Sequence, residues 1–212
     1  MGSPKIPFDH YFHNWLYGDD GYYSQYKTIG KDGDFFTAVS TSRFFGGAIG
    51  KRVVDIINEG FLDEKSTIIE IGAHHGYLLA DMIQFIYTLN PKLIQTLTFA
   101  IVERYPHLRE KQNEYFKKCF GDDIKLQHYN DVSEIKTDNA FVIANEIYDA
   151  FACDLIYTDE NNVLQKAIVD TNKNKIIFQD LTKQDVFLKN YCSKYKATKG
   201  VDDQSSIRAG KE

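Results

Sequence analysis

The chain has few cysteines and no long apolar run, and each shortage excludes a class of protein. Cys119, Cys153 and Cys192 lie far apart and form no C-x-x-C pair, which argues against a disulfide framework and against a zinc site. Apolar runs extend over only a few residues, so we expect neither a membrane span nor a signal peptide. These features favour a globular protein that works in the reducing cytoplasm.

Positive charge is not concentrated in any segment either. The formal net charge is −5, and no run of Lys and Arg forms a basic face, so we do not expect binding to nucleic acid or to an anionic membrane. The closely spaced histidines are His10 with His13 and His74 with His75. Because no H-E-x-x-H motif or His/Cys pairing joins them, we predict no metal site.

Aromatic side chains are abundant near the start of the chain. Twelve of them fall within the first 50 residues, where glycines interrupt them. This mixture predicts a short helix followed by aromatic-rich loops, which belong either to the core or to a loop folded over a pocket. Ser40, Thr41 or Ser42 can cap the next helix, whose apolar residues recur at helical spacing until Gly60.

Apolar strands then alternate with amphipathic helices. The predicted strands are residues 67–71, 98–102, 124–128 and 140–144. Such alternation predicts an α/β fold with a Rossmann-like parallel sheet, helices on both faces and ligands beyond the carboxyl ends of the strands. The pattern then changes to an antiparallel insertion, with strands at residues 155–158, 163–170 and 176–179.

The first parallel strand runs into a glycine turn of the form E-x-G-x-H-x-G, from Glu70 to Gly76. Gly72 and Gly76 tolerate a positive φ and allow a ligand to approach the backbone closely. The helix that follows offers unpaired N–H groups, which suit a nucleotide-like ligand. His74 stands at the position of a third glycine in such a turn.

Carboxylates lie at the ends of the first two parallel strands, Glu70 at the end of the first and Glu103 at the end of the second. At the tip of the second strand, a carboxylate can accept hydrogen bonds from both hydroxyls of a ribose. The alternative is that Glu103 caps the next helix or pairs with Arg104 or Arg109.

A third polar group follows the fourth parallel strand and consists of Asn145, Glu146 and Asp149. One amide and two carboxylates at the same edge of the sheet can bind and orient a cationic or amine substrate. Asn and Asp are equally suited to cap a helix, so the spacing alone leaves both interpretations open.

These motifs belong to a larger set of short segments: Leu16-Tyr17 with Gly21-Tyr22-Tyr23, Gly33 to Ala38, Glu70 to Ala73, Ile101 to Glu103 with Leu108-Arg109 and Gln112, and Asn145-Glu146 with Asp149-Ala150. As a set they resemble the MidA or DUF185 family of S-adenosylmethionine-dependent methyltransferases, which includes the mitochondrial complex I assembly factor that methylates an arginine. The resemblance extends from about residue 10 to residue 151.

The resemblance implies methyl transfer from S-adenosylmethionine to a protein arginine, with a respiratory complex subunit as the type of acceptor. It implies that the methionine part of the cofactor lies along the glycine turn, the ribose at Glu103 and the adenine near Asn130 or Asp131. The implied cofactor-binding residues are Asp34, Phe35, Thr37, Glu70, Gly72, His74, Gly76, Glu103 and Asp131, and the implied catalytic residues are Glu146, Asp149 and Asn145.

These motifs predict a division of the chain into four parts. Residues 1–60 form a helical and loop segment that covers the cofactor site, and residues 61–150 form the Rossmann-like core. Residues 151–198 form the antiparallel insertion with a helix, and residues 199–212 form a flexible tail.

Two departures from the family pattern leave other functions open. His74 replaces the middle glycine of the family's turn, and the usual fold has seven strands, whereas four parallel strands are predicted here and the C-terminal strands lack a counterpart. The alternative is a non-catalytic binding or assembly protein, and an NAD-type oxidoreductase ranks last because it does not explain Gly33 to Ala38.

We expect a second copy of the chain, as in a homodimer, or a further segment to cover the open sheet edge.

Overall fold

The structure, a computed structural model, describes residues 5–23, 39, 42–194 and 207–210. The strands are β1 (Lys5–Pro7), β2 (Thr67–Ile71), β3 (Thr98–Val102), β4 (Leu126–Tyr129), β5 (Ala140–Ile143), β6 (Cys153–Thr158), β7 (Leu164–Asp170), β8 (Lys175–Asp180) and β9 (Ile207–Gly210). The helices are α1 (Phe8–Tyr17), α2 (Arg43–Asn58), α3 (Tyr77–Leu89), α4 (Leu93–Thr96), α5 (Pro106–Phe120) and α6 (Val186–Lys194), with short 3-10 turns at Val132–Glu134 and Tyr148–Ala150.

The chain divides into two compact units. One unit consists of Thr28–Ile147 and holds the parallel sheet, and the other combines Met1–Lys27 with Tyr148–Glu212 and holds the antiparallel sheet. The four parts predicted from the sequence remain a prediction, since a division by contacts does not test their roles. Among the residues that the structure describes, no helix has the length and apolar character needed to cross a membrane.

The parallel sheet has the strand order β4-β3-β2-β5, with β2 between β3 and β5. Thr67 lies opposite both Thr98 and Ala140, and every pair in this sheet is parallel. The first four residues of β2 are all buried, so this strand does not show the alternation of apolar and polar residues expected where one sheet face meets water, and Glu70 is buried together with the two isoleucines before it. Because the strands are parallel, their carboxyl ends meet at one edge, and the loops that follow β2, β3 and β5 leave from that edge.

Helices α2 and α3 pack together in the main core of this unit. Ile68, Phe99 and Ile101 of the sheet belong to the same buried cluster as Leu79 and Met82 of α3. Alternate sheet residues, Ile69, Ala100 and Val102, belong to a second, smaller cluster. This alternation is the expected result of the two-residue repeat of a strand.

Glycines let α2 approach α3 more closely than larger residues would. A Cβ atom added at Gly50 would lie 2.8 Å from the Met82 carbonyl oxygen, and one added at Gly47 would lie 2.5 Å from the Phe85 ring. Ser42 begins α2 as predicted, since its side-chain oxygen accepts a hydrogen bond from the Phe44 backbone N–H (3.1 Å). The close contact fixes α3, whose first turn follows the glycine turn.

The second unit is built on antiparallel pairs. Strand β7 pairs with β8 along one edge and with β6 and β1 along the other, and β6 also pairs with β9. Ile156 of β6 packs against Leu188 and Cys192 of α6. The predicted antiparallel insertion is thus confirmed, together with a helix close to the expected position.

Several elements differ from the sequence expectation. Strand β1, helix α4 and strand β9 were not predicted, since each has at most four residues and is too short for a periodic signal. Strand β9 lies within the segment expected to be a flexible tail, and its backbone pairs with Cys153–Ile156. Such long-range pairing leaves no local signature in the sequence.

Candidate functional site

The turn between β2 and α3 contains three residues in the left-handed region: Gly72 (φ 67°), His74 (φ 49°) and Gly76 (φ 78°). The Gly72 N–H donates to the Val102 carbonyl at the end of β3 (3.1 Å). Gly72 is exposed, so its backbone is open to a ligand. The predicted glycine turn therefore lies at the carboxyl edge of the sheet.

Gly76 suits this position through its positive φ and through its lack of a Cβ atom, which leaves room for α5. A Cβ atom added there would lie 3.0 Å from the Phe116 ring and 3.6 Å from Gln112 Cγ, both on α5. Gly76 also precedes α3 as its N-cap and offers no side chain to the N–H groups of the first turn. The cap must come from another part of the chain.

Glu70 supplies that cap. Its side-chain carboxyl oxygen accepts a hydrogen bond from the Leu79 backbone N–H in the first turn of α3 (3.1 Å). The side chain is buried, and burial raises the pKa of Glu70 to about 8 although the Leu79 hydrogen bond lowers it. Glu70 therefore supports the turn from inside the protein, and its predicted contact with a cofactor remains a prediction.

Gln112 of α5 holds the turn from the other side. The side chain is completely buried, and its amide nitrogen donates to the His74 carbonyl (2.8 Å). Its amide oxygen lies 2.9 Å from His128 Nε2 on β4. The sequence points to Gln112 only among the segments that carry the resemblance and to His128 only as the end of a predicted strand, and it predicts a role in the site for neither. Two signals pointed to Gln112: its place in the resemblance and its polar side chain within the apolar stripe of α5.

The His74 side chain occupies the middle of the turn. Its ring centroid lies 4.1 Å from that of His75, in an edge-to-face arrangement. Burial lowers the pKa of His74 to about 4, and the positive potential of His75 and Lys111 lowers it further. At neutral pH the turn therefore presents an uncharged imidazole where the resemblance implies a glycine.

Glu103 follows β3, and its backbone N–H donates to the Tyr129 carbonyl at the end of β4 (2.9 Å). The carboxylate accepts a hydrogen bond from the Tyr105 N–H (3.1 Å), immediately before α5, which agrees with the predicted alternative of a helix cap. Burial raises the pKa of Glu103, and the positive charges of His107 and Arg109 partly offset this. A carboxylate has about four acceptor positions, so the cap leaves acceptor capacity for a ligand.

Asn130 and Asp131 follow β4 and are already engaged locally. The Asp131 carboxylate accepts from the Ser133 N–H (2.9 Å) and hydroxyl (2.7 Å), which begins the 3-10 turn. Arg109 donates to the Asn130 side-chain oxygen (2.7 Å). Arg109 is thus bound to Asn130, and the adenine contact of Asp131 stays a prediction.

The residues after β5 approach the glycine turn. A Cβ atom added at Gly72 would lie 3.1 Å from Ile147 Cγ2, so this loop lies directly against the turn. Glu146 is exposed and, like His74, is a non-glycine residue with positive φ (52°). Left-handed residues of this kind are strained and concentrate at functional sites. The structure thus brings the Asn145-Glu146 segment to the same edge as Gly72.

Asp149 belongs to the other unit and lies beside the N-terminal motif. The Tyr17 hydroxyl donates to the Ala150 carbonyl (2.7 Å), and the Tyr17 and Tyr23 rings stack. Burial raises the pKa of Tyr23, and the negative charge of Asp149 raises it further. Two segments that carry the family resemblance are therefore in contact within this unit.

Three predicted cofactor residues, Asp34, Phe35 and Thr37, lie outside the described residues. The described part of the chain contains no group of three or more His, Cys, Asp or Glu side chains that could hold a metal ion. The remaining site residues fit a ligand that carries a ribose, because the exposed backbone of Gly72 and the Glu103 carboxylate follow adjacent strands.

Comparison with known proteins gives a family for this arrangement. Residues 48–209 match the model of the family described as "Putative S-adenosyl-L-methionine-dependent methyltransferase". The protein arginine methyltransferase NDUFAF7, mitochondrial, of Rattus norvegicus is 28% identical over 151 residues, which cover 61% of this chain and 34% of the relative. The NDUFAF7 homolog of Drosophila melanogaster is 26% identical over 170 residues, which cover 71% of this chain and 38% of the relative.

A solved structure shares the fold. The crystal structure of a COG1565 superfamily member from Burkholderia thailandensis, bound to S-adenosyl-homocysteine, superimposes with a TM-score of 0.73 at 21% identity. The match covers 97% of this chain and 52% of that chain. The chain thus spans about a third of the length of these curated relatives and about half of that crystal structure.

The buried Glu70 gives a prediction for the pH dependence of stability. Its pKa rises from 4.5 to about 8 on folding, so the folded state holds a proton that the unfolded state releases within this range. The free energy of unfolding should therefore fall as pH rises from about 4.5 to about 8.

Glu70→Gln keeps an acceptor for the Leu79 N–H but cannot ionise. Urea unfolding at pH 5 and pH 8 should show a smaller loss of stability in Glu70→Gln than in the wild type, with a difference of about 3 kcal/mol. Glu64→Gln, at an exposed position, is the matched control and should follow the wild type. Equal pH slopes for wild type and Glu70→Gln would contradict the assignment.

Proposed function

Because the chain belongs to this family of S-adenosylmethionine-dependent methyltransferases, we propose that it binds S-adenosylmethionine and transfers its methyl group to a protein arginine. The observation that carries the proposal is the strand-end arrangement of the glycine turn, Glu103 and the Asn145-Glu146 loop. The names of the curated relatives support arginine as the acceptor.

The proposed cofactor contacts follow the chemistry of the site. The turn from Gly72 to Gly76 holds the amino-acid part through its backbone, and the Glu103 carboxylate accepts from the ribose hydroxyls. Bound there, the cofactor supplies a methyl group on a positively charged sulfur, so the protein has to align the acceptor and exclude water.

We assign the binding of the arginine that receives the methyl group to the loop after β5. A guanidinium stays protonated at neutral pH, since its pKa lies above about 12, and it must lose a proton when a nitrogen is methylated. Glu146 is exposed beside the turn and can hold the guanidinium and take that proton, while the Asn145 amide orients it. The same role for Asp149 rests on the sequence.

Finer parts of the proposal rest on the resemblance of the motifs. A respiratory complex subunit is the proposed type of acceptor, and a homodimer is the proposed assembly. For the compartment we retain the cytoplasm, whereas the curated relatives are named as mitochondrial.

A second candidate is a non-catalytic binding or assembly protein. The imidazole of His74 within the turn favours it, because this side chain takes up space beside the backbone that would hold the cofactor. The two candidates differ in whether the folded chain binds S-adenosylmethionine.

Calorimetry with S-adenosylmethionine tests the proposed function. The wild type should bind in the micromolar range, and Glu103→Gln should bind about tenfold more weakly because it loses a charged acceptor for the ribose. Glu110→Gln changes an exposed glutamate of α5 and serves as the matched control with wild-type affinity. A folded wild type that gives no binding would favour the assembly protein.

Glu146→Gln separates catalysis from binding. Transfer of labelled methyl groups from S-adenosylmethionine to arginine in a protein extract should fall about 100-fold, because the amide cannot accept the proton. Cofactor affinity should stay within about twofold of the wild type, which isolates the chemical step. Glu160→Gln, at an exposed position of the other unit, is the control, and unchanged transfer by Glu146→Gln would remove this residue from the mechanism.

His74→Gly should raise the affinity for S-adenosylmethionine several-fold. Glycine adopts a positive φ without the cost of about 1–2 kcal/mol that other residues incur, and the substitution removes the ring from the turn. His75→Gly removes the neighbouring ring at a position without positive φ and should not raise the affinity. A drop in affinity for His74→Gly would show that the imidazole contributes to binding.

A further inference from the structure

Gln112 uses both ends of its side-chain amide within the interior. Because a carbonyl can only accept, the contact with the His74 carbonyl (2.8 Å) fixes the amide nitrogen on that side. The amide oxygen then faces His128 Nε2 (2.9 Å), so His128 must donate from this nitrogen. The orientation of the amide and the position of the histidine proton are therefore mutually determined.

This pair joins three elements of the site. Gln112 lies on α5, which begins soon after Glu103, and His128 lies on β4, next to β3. The hydrogen bond from Gln112 ends on the backbone of His74, between the two positive-φ glycines. The helix next to Glu103, the proposed partner of the ribose, is thus connected directly to the turn proposed to hold the amino-acid part of the cofactor.

The bond ends on a strained residue. His74 has φ 49°, a backbone conformation that is unfavourable for residues with a side chain and that persists only where the surroundings fix it. Gln112 is completely buried, which gives its hydrogen bonds no competition from water and keeps it out of reach of a ligand.

We propose that Gln112 and His128 are positioning residues that hold the glycine turn in the conformation that binds the cofactor. They act through the His74 carbonyl and do not touch the cofactor. This proposal rests on the proposed function, since it concerns how the site for S-adenosylmethionine is formed. The alternative is that the two hydrogen bonds stabilise the fold and have no specific effect on the turn.

The effect of a Gln112 substitution, measured with and without the His74 side chain, distinguishes the positioning role from a role in fold stability alone. Gln112→Leu removes the hydrogen bonds without leaving a large cavity, and it should weaken S-adenosylmethionine binding about tenfold. In a His74→Gly background the same change should cost only about twofold to threefold, because a glycine at position 74 reaches positive φ without the bond. Asn113→Leu, at the exposed neighbouring position, is the matched control and should leave the affinity unchanged.

The outcomes separate this proposal from the proposed function. A wild type that does not bind S-adenosylmethionine removes the proposed function. If the wild type binds, then equal losses from Gln112→Leu in both backgrounds, or no loss in either, overturn the positioning role. Far-UV circular dichroism and melting temperature confirm that each variant is folded.

A second pair of variants covers the case in which Gln112→Leu does not fold. His128→Gln places an amide donor near the position of the imidazole Nε2, whereas His128→Leu offers none. Cofactor affinity should be close to wild type for His128→Gln and several-fold weaker for His128→Leu. Equal affinities of the two variants would overturn the proposal.

Discussion

The N-cap of helix α3 is Gly76, so the N–H groups of the first turn have no acceptor on an N-cap side chain. The buried carboxyl group of Glu70 supplies an acceptor from within the preceding strand. Gln112 of α5, which is itself bonded to His128 of β4, holds the carbonyl of His74. The shape of the turn is therefore fixed by β2, α5 and β4. Gly76 adds a steric condition, because a Cβ atom there would lie only 3.0 Å from the Phe116 ring of α5, which would have to shift to make room.

The remaining parts of the candidate site follow from this support. The Gly72 N–H binds the last carbonyl of β3, and the Glu103 N–H binds the last carbonyl of β4, so the turn and the carboxylate are tied to the same sheet edge. Ile147 packs beside Gly72 and brings the Glu146 segment to this edge. Two strained residues, His74 and Glu146, thus lie in the loops that are proposed to meet the cofactor and the acceptor.

The sequence predicts the parallel sheet and the turn well, because both leave local signals. Buried strands such as Thr98–Val102 are nearly uninterrupted apolar runs, and Gly72 and Gly76 mark positions that need positive φ. The hydrogen bonds of Gln112 with His74 and His128 could not be predicted from the sequence in this way. Gln112 and His74 are 38 positions apart and Gln112 and His128 are 16 apart, so only the packing of α5 on the sheet reveals that they meet. The capping role of Glu70 also depends on a partner outside its own strand.

The most direct test of this account is a crystal structure of the chain with S-adenosyl-homocysteine bound. The account predicts ribose hydroxyls within hydrogen-bond distance of the Glu103 carboxylate and the amino-acid end of the ligand along residues 72–76. It also predicts that Gln112 keeps its hydrogen bond to the His74 carbonyl. A ligand bound away from Glu103, or a turn released from Gln112 when the ligand binds, would contradict it.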